Sequence, residues 1–370
     1  MVTARCEPEG ANAAELTRRF TVIHVVECWG GGVSSAVAGY IRATPMFEHW
    51  LLSAPRHGED TGMAVAGQVQ GWLRLPDSHP ARIRAVHHAY NAIRPDIVHA
   101  HSSYAGIYVR GCLSIPADRI VYSPHCYAFE RVDVVLPVRG MFRIAESILA
   151  RRTGVVAAAS PREAALARML HGRQQVVCVP HAVRVQPVIP AARPFENEVV
   201  AIAVGRICRQ KDPDFLAEAS REARRHGWPI RWEWIGDGDP ARRERLESAG
   251  VHVAGWLPRD EVLRRLGRAH VYVHTALWEV APTMAMLEAV ATGLPMIMRS
   301  LPDLAVLGLP GLVPTPKALA SAVRRMADPA HRAAHADRCR MAFHEHTPEA
   351  QAKRLAAAYR APALPVKERV

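Results

Sequence analysis

Two basic side chains, Arg206 and Lys211, stand five residues apart in the segment VGRICRQKDPD, directly after an apolar run. If that run is a strand, both cations lie on one short loop at the edge of a sheet, where they suit the two negative charges of a diphosphate. Only four of the 47 basic residues are lysine. A GC-rich genome is sufficient to explain this excess of arginine; the alternative is that a lysine kept within a motif, as at Lys211, supplies a compact ammonium group. An exposed basic loop that binds nothing is the alternative.

The segment WEVAPTMAMLEAVATG carries two carboxylates near the start of a predicted short helix. Pro282 suits a first helical turn, Thr283 follows it, and Gly293 can end the helix in the left-handed conformation. Glu279 then lies in the loop before the helix, and Glu288 lies on the helix. Because an ionised carboxylate only accepts hydrogen bonds, the pair suits the hydroxyl groups of a sugar or a ribose. A capping acid and a surface acid are the alternative.

Three glycines, Gly30, Gly31 and Gly32, follow an apolar run in WGGGVSSAV and precede small residues that predict a helix. Backbone N–H groups at such a helix start can approach an anion closely, because no side chain stands in the way. The run is not the GxGxxG fingerprint of dinucleotide binding, and no acidic residue stands where the ribose of NAD would need one. A tight turn without a ligand is equally compatible with these residues.

Composition predicts a packed globular protein, since 49% of the 370 residues are hydrophobic and 22% are charged. The length suits two domains. The net charge of +12 is compatible with nucleic acid, an anionic membrane surface or phosphorylated ligands. The seven cysteines are scattered singly, as in a reducing compartment. With no signal peptide and no apolar run of the roughly 20 residues that span a bilayer, we expect a cytoplasmic protein.

Short apolar runs alternate with helical stretches, which predicts buried parallel strands covered by helices on both faces. The pattern stops at a proline-rich stretch over 180–198 and then starts again. We therefore predict two doubly wound α/β domains, with ligands bound beyond the carboxyl ends of the strands, in a cleft between the domains. The predicted strands cover residues 21–26, 49–54, 96–101, 119–125, 154–160, 199–206, 231–237, 251–256, 270–276 and 294–300.

The ordered motifs resemble those of the GT-B glycosyltransferases, and in particular the large retaining group called family 4, over almost the whole chain after residue 20. The resemblance rests on IRPDIVHAHSSYAG, SPHCY, the VGR…K loop and the E…E segment followed by EAVATGLP. It implies the GT-B fold, two facing Rossmann-like domains with an interdomain cleft. The implied parts are a flexible leader (1–20), an acceptor-side domain (21–185), a linker (186–198), a nucleotide-sugar-binding domain (199–346) and a C-terminal segment (347–370) whose helix crosses back to the first domain.

The resemblance also implies a role for each matching residue. His125 would contact the transferred sugar, Glu279 would approach the donor sugar, and Glu288 would hold the ribose of the nucleotide. One departure concerns the two glutamates, because eight residues separate them here and the family usually has seven. The other implied donor-site residues are Arg206 and Lys211 at the diphosphate, Gly30, Gly31 and Gly32 near the phosphates or the acceptor, and Pro282 and Thr283 at the helix start.

Two further patterns are typical of metal sites, but we predict no metal at either. Asp237 and Asp239 form the DxD pattern of metal-dependent glycosyltransferases, yet they follow a strand of the second domain where GT-B proteins often have a similar glycine-rich loop. His99 and His101 flank an alanine at the end of a predicted strand. We expect one of these side chains to point inward and the other outward, so that they do not share a ligand.

The expected activity is the transfer of a hexose from a UDP- or GDP-sugar, with retention of configuration and without a metal or cofactor. The resemblance favours a glycan or lipid-linked glycan acceptor in bacterial surface polysaccharide or lipopolysaccharide synthesis. Residues 138–153 mix apolar and basic side chains on a predicted helix, which suits either ordinary packing or contact with an anionic membrane. The rivals are a nucleotide-sugar epimerase of GT-B shape and a non-catalytic basic protein that binds nucleic acid.

Overall fold

The computed structural model describes residues 19–55, 65, 67–170, 174–183 and 198–361. Nearly all of the expected leader, the expected linker up to residue 197 and the last nine residues of the chain lie outside this description. Among the described residues, no helix combines the length and the apolar character needed to cross a bilayer.

The first half of the chain forms a sheet of seven strands in the order β3-β2-β1-β4-β5-β6-β7, with every neighbouring pair parallel. Its strands are rich in valine, isoleucine and alanine because both faces are covered by helices. The strands are β1 (Thr21–Trp29), β2 (Glu48–Pro55), β3 (Gly71–Arg74), β4 (Ile97–His101), β5 (Ile120–Ser123), β6 (Val155–Ala158) and β7 (Gln175–Cys178). The helices are α1 (Gly31–Ala43), α2 (His79–Ile93), α3 (Ser102–Arg110), α4 (Leu136–Ala150) and α5 (Pro161–Leu170).

The second half repeats this plan in a parallel sheet of six strands, in the order β10-β9-β8-β11-β12-β13. In both sheets the chain order reverses beside the first strand, and this reversal opens a crevice at the carboxyl ends of the strands. The strands are β8 (Val199–Val204), β9 (Ile230–Ile235), β10 (Val251–Gly255), β11 (Val271–His274), β12 (Met296–Arg299) and β13 (Leu312–Val313). The helices are α6 (Pro213–Arg225), α7 (Pro240–Ser248), α8 (Arg259–Arg268), α9 (Met284–Ala291), α10 (Pro302–Val306), α11 (Pro316–Arg324), α12 (Pro329–Ala342) and α13 (Pro348–Arg360).

All ten predicted strands are present, and three short strands, β3, β7 and β13, were not predicted. All three lie at an edge of their sheet and are only partly buried, so they lack the continuous apolar run that marks the inner strands. The first helix was predicted to begin at residue 34 but begins at Gly31. The prediction started too late because glycine is a weak helix former and gives no helical signal in the sequence. The final helix, α13, packs against the first sheet, where Leu355, Ala358 and Tyr359 are buried in one cluster with Val22 and other strand residues.

Candidate active site

The loop after β8 brings Lys211 against the loop after β11, where its ammonium group forms an ion pair with the carboxylate of Glu279. The two loops are also joined through the backbone, since the N–H of Leu277 donates to the carbonyl of Gln210 over 2.8 Å. The hydroxyl of Thr275 donates to the carbonyl of Lys211 over 2.6 Å. Hydrogen bonds along the backbone therefore hold the predicted lysine and glutamate together at the carboxyl edge of the second sheet.

Gln210 also belongs to this arrangement, although its amide carried no signal in the sequence. Its Nε2 donates to the carbonyl of Trp278 over 3.0 Å and lies 3.4 Å from Oε1 of Glu279. Arg206, in contrast, is exposed, and no ion pair of Arg206 is found within the described part of the chain. Arg206 is therefore available to an anion from solvent, whereas Lys211 would have to share its three donors between Glu279 and a ligand.

Glu288 lies on α9, as expected, but does not join Lys211 and Glu279. Its Oε1 accepts a hydrogen bond of 2.8 Å from Nε of Arg259, which lies at the start of α8. The side chain of Glu288 is only 13% exposed, whereas that of Arg259 is 53% exposed. A ligand hydroxyl that reaches Glu288 would therefore share the carboxylate with Arg259, a cation that sequence reasoning missed.

Helix α9 begins later than predicted, after Thr283. Pro282 does not occupy the first helical turn but precedes the N-cap residue Thr283, whose hydroxyl accepts a hydrogen bond of 3.3 Å from the N–H of Met286. The hydroxyl cap is the physical reason, because a helix with Pro282 in its first turn would have Ala281 as its N-cap, and alanine has no side-chain acceptor for the first backbone N–H groups. The expected end of the helix is confirmed, since Gly293 has a φ of +73°.

The three glycines before α1 are not equivalent in the structure. Gly30 and Gly31 have φ angles of +156° and +69°, so the turn into α1 requires glycine there. A Cβ atom at Gly32 would meet no atom within 4 Å, so neither the turn nor the packing against a Cβ requires glycine at this position. The first turn of α1 has no side-chain cap and no acidic residue, and α1 contacts α9 of the other domain. The helix starts directly after the carboxyl end of β1, the edge of a parallel sheet at which ligands bind in doubly wound folds.

His125 lies at a strained turn that follows β5. His125 and Cys126 both have positive φ angles, +50° and +83°, in a backbone region that residues other than glycine rarely occupy. The buried carboxylate of Glu163 holds this turn, because its two oxygens accept the N–H of Cys126 over 2.8 Å and the N–H of Ala159 over 2.7 Å. Burial raises the pKa of Glu163 to about 7, and these two N–H groups oppose part of that rise.

The two domains meet around a cavity of about 160 Å³. Burial raises the pKa of the Cys126 thiol, and the negative charge of Glu279 raises it further, since the two groups are close across the cleft. His181 of the first domain donates a hydrogen bond from Nδ1 to the carbonyl of Pro282 over 3.3 Å. The cavity is lined by Cys126, Tyr127, Glu130, Val132, Arg139, Arg162, Glu163 and Leu166 on one side, and by Leu277, Trp278, Glu279, Val280, Leu301, Pro302 and Asp303 on the other.

The side chains of His99 and His101 do not point to opposite sides of the strand, and this expectation was wrong. Residues two apart on a strand share one face of the sheet, so both imidazoles are buried on the same side with ring centroids 3.9 Å apart. Together with His24 they bring three ring nitrogens within 4.8 Å of one another, a spacing at which a metal ion could bind. No sequence pattern links His24 to the other two histidines, because it lies on β1.

The carboxylates of the DxD pattern have structural partners. Asp237 pairs with Arg243 over 2.6 Å and accepts the N–H of Gly238 over 2.8 Å. Asp239 caps α7, where its side chain accepts the N–H of Arg242 over 3.2 Å. All three contacts lie within the loop after β9 and the first turns of α7 and do not involve the cleft residues described above.

The two facing parallel sheets, with the cleft between them, are the architecture of the GT-B glycosyltransferases. Residues 198–328, which contain Arg206, Lys211, Glu279 and Glu288, match the family model described as Glycosyl transferases group 1. The sucrose-phosphate synthase of Thermosynechococcus elongatus has the same fold, with a TM-score of 0.77 over 92% of this chain and 98% of that one, at 19% identity.

Two curated proteins are similar in sequence. One is an uncharacterized 41.2 kDa protein in the cps region of Klebsiella pneumoniae, which is 27% identical over 79% of this chain and 85% of its own length. The other is the UDP-Gal:α-D-GlcNAc-diphosphoundecaprenol α-1,3-galactosyltransferase of Escherichia coli, which is 26% identical over 56% of this chain and 58% of its own length.

Proposed function

We propose that this protein is a glycosyltransferase that moves a hexose from a nucleoside-diphosphate sugar to a glycan or a lipid-linked glycan in bacterial surface polysaccharide or lipopolysaccharide synthesis. The observation that carries the proposal is the Lys211–Glu279 ion pair at the carboxyl edge of the second sheet, across the cleft from the turn at His125. The galactosyltransferase relative supports it, because its name includes both a UDP-sugar and a diphosphoundecaprenol-linked sugar.

In the proposed reaction the bond between the sugar and the diphosphate breaks, and negative charge grows on the leaving diphosphate. Arg206 and Lys211 neutralise that charge, and the N-terminus of α9 adds its positive end. The protein's own cations thus supply the stabilisation for which other transferases use a metal ion, so the proposed reaction requires none. A UDP- or GDP-sugar suits this arrangement, because each has two phosphates between the base and the sugar.

The remaining residues would hold the two ends of the donor. Glu279, kept in place by Lys211 and Gln210, accepts hydrogen bonds from hydroxyls of the transferred sugar, and His125 approaches the same sugar from the first domain. Glu288 accepts the ribose hydroxyls, with Arg259 beside it. Gly32 leaves room for the phosphates or the acceptor at the start of α1.

We further propose retention of the anomeric configuration, with the acceptor attacking from the face that the leaving group vacates. Two rival functions remain distinguishable. A nucleotide-sugar epimerase would convert the free nucleotide sugar without an acceptor, and a nucleic-acid-binding protein would show steep salt-dependent binding to DNA or RNA with no affinity for nucleotide sugars. The open cleft with paired Lys211 and Glu279 favours the transferase over the second rival.

A thermal-shift screen with UDP, GDP, ADP and their sugars tests the proposal, because a ligand that binds only the native state raises its stability by mass action. We expect UDP or GDP, and the corresponding sugar nucleotides, to raise the melting temperature in the absence of divalent metal. An unchanged melting temperature with every nucleotide would contradict the proposal. Formation of an isomerised sugar nucleotide without an acceptor would assign the epimerase instead.

Helix α4 has the character of a membrane contact. Leu136, Met141, Ile144 and Ile148 are all more than half exposed, and Arg143 is exposed beside them. The one acidic residue of the helix, Glu146, is buried in an ion pair with Arg110 and offers no negative charge to the surface. An apolar surface with basic flanks suits an anionic membrane, where a lipid-linked acceptor would be found at the cytoplasmic face.

We expect the double variant Ile144→Ser/Ile148→Ser to bind phosphatidylglycerol-rich vesicles at least about tenfold more weakly than the parent protein, because two apolar side chains no longer enter the lipid. Co-sedimentation with these vesicles, and with phosphatidylcholine vesicles as a reference, measures the change. The matched control is Val306→Ser/Met341→Ser, which removes two apolar side chains from the second domain that are also more than half exposed. Equal vesicle binding by both double variants would contradict a membrane role for α4.

A further inference from the structure

A chain of buried histidines runs beneath the cleft, on the face of the first sheet that is covered by α1 and α13. His49 lies on β2, His24 on β1, His101 on β4, and His125 follows β5. The first three are at most 2% exposed, which is unusual for a side chain with two polar nitrogens. Burial lowers the pKa of each of the four, so all four imidazoles are neutral near pH 7.

The four rings are joined nitrogen to nitrogen. Nδ1 of His49 lies 3.1 Å from Nε2 of His24, and Nδ1 of His24 lies 3.0 Å from Nε2 of His101. Nδ1 of His101 in turn lies 3.2 Å from Nε2 of His125. A neutral imidazole carries one proton, so in each of these contacts one ring must donate and the other must accept.

The far end of the chain sets the direction of all three contacts. Nε2 of His49 lies 2.8 Å from the carbonyl of Thr44, and a carbonyl can only accept. The Thr44 hydroxyl, 3.2 Å from the same nitrogen, already donates to the carbonyl of Tyr40 and therefore accepts as well. His49 must carry its proton on Nε2, which leaves its Nδ1 as an acceptor.

The same argument passes from ring to ring. Because Nδ1 of His49 accepts, His24 must donate from Nε2, and its own Nδ1 is then an acceptor for the Nε2 proton of His101. Nδ1 of His101 is likewise left as an acceptor, so His125 must donate from Nε2. Within the described residues Nδ1 of His125 has no hydrogen-bond partner, and it keeps a lone pair.

His99 stands beside this chain but is not part of it. The hydroxyl of Ser123 donates to the carbonyl of Ala157 and so accepts from Nε2 of His99 over 2.9 Å. Nδ1 of His99 then accepts from the hydroxyl of Tyr359, on α13, over 2.9 Å. Both nitrogens of His99 are therefore engaged, and the lone pair of His24 that a metal would need is occupied by the proton of His101.

We propose that the chain His49–His24–His101 holds His125 in one tautomer, protonated on Nε2, so that Nδ1 presents a lone pair to a hydroxyl of the transferred sugar. The tautomer follows from the hydrogen bonds alone, whereas its use in catalysis rests on the proposed glycosyltransferase function. His101 is then a positioning residue, because it acts on the substrate only through His125. A sugar hydroxyl would donate to His125, and a ligand group that can only accept would be rejected there.

The test uses long-range ¹H–¹⁵N correlation spectra of the ¹⁵N-histidine-labelled full chain in the presence of a chelator, with the His125 signals assigned by their loss in His125→Asn. In the wild-type protein we expect His125 to be protonated on Nε2 and unprotonated on Nδ1. A proton on Nδ1 of His125 would overturn the proposal, and because the tautomer is read in the wild-type protein, with His125→Asn serving only for assignment, the measurement requires no enzymatic activity.

Two substitutions of His101 form a matched pair. In His101→Asn the amide oxygen can stand where Nδ1 stood and still accept from His125, whereas His101→Gln places its polar atoms near the former Nε2 and removes that acceptor. We expect His125 to stay protonated on Nε2 in His101→Asn and to populate both tautomers in His101→Gln. Turnover should then be at least about tenfold lower in His101→Gln than in His101→Asn, the effect of one misdirected hydrogen bond.

The outcomes distinguish the hydrogen-bonded histidine chain itself from its role in the proposed reaction. Correct tautomers without any turnover of nucleotide sugars would leave the histidine chain intact and overturn the proposed function. Equal turnover in the two variants, with their tautomers as expected, would overturn the positioning role of His101. If ZnCl₂ added to chelator-free protein shifts the signals of His24, His99 and His101 together, the cluster is a metal site and the proton chain is overturned.

Discussion

Replacing Lys211 by alanine is expected to lower turnover by about a hundred- to a thousandfold, the usual effect of removing one fixed donor at a developing charge. Lys211 supplies the one ammonium group in the loop after β8, and its pairing with Glu279 also keeps that carboxylate in place. The substitution should therefore affect both the diphosphate and the sugar end of the donor. The measurement is kcat with the nucleotide sugar that the thermal-shift screen identifies.

Lys317→Ala is the matched control for this substitution. Lys317 is an exposed lysine of the same domain, near the start of α11, and its removal costs the same single charge. We expect its kcat to remain within about twofold of the wild-type value, since surface substitutions away from a site have small effects. If Lys211→Ala turned over as fast as Lys317→Ala, Lys211 would not act on the leaving group and the proposed site would be wrong.

Replacing Glu163 by glutamine is expected to lower the free energy of unfolding by about 1–3 kcal/mol, because one of two buried N–H groups loses its acceptor. The amide has a single oxygen, so its NH₂ group must face the N–H of either Cys126 or Ala159. Since that contact holds the strained turn at His125, turnover should fall as well. Chemical denaturation gives the stability, and kcat at a temperature well below the melting transition gives the catalytic effect.

Glu244→Gln is the control for this change, since Glu244 is exposed on α7 of the second domain. It should leave both the stability and kcat close to the wild-type values. A Glu163→Gln protein with unchanged stability would show that the carboxylate does not hold the turn. Lower stability with unchanged kcat would show that the turn tolerates the loss and that His125 is positioned in another way.

The sequence predicted the sheets well because buried parallel strands need continuous apolar runs, and such runs are visible without knowledge of the fold. TVIHVV and VVAIAV are examples, and both became central strands. The cleft residues Lys211 and Glu279 were also visible, since each stands in the loop that follows such a run and parallel strands end at the same edge of a sheet. The eight-residue spacing to Glu288 is taken up by a loop over 280–283 and the first turns of α9.

The sequence did not show which side chains satisfy one another inside the first domain. Glu163 reads as an ordinary acid in the first turn of a helix, and only the packing of α5 beneath the turn at His125 makes it an acceptor for two buried N–H groups. Arg259 and Gln210 were missed for the same reason, since their partners lie 29 and 69 residues away.

By itself the sequence determined the two doubly wound domains, the two cations of the loop after β8 and the positions of the two glutamates, because these depend on local patterns and on the rule that parallel strands end together. Only the tertiary structure decided that histidines of four different segments form one chain of hydrogen bonds with a single direction. The same holds for the hydroxyl of Tyr359, which donates to His99, 260 residues away. A hydrogen bond needs about 3 Å and a defined direction, and no periodicity along a chain specifies either of them for residues so far apart.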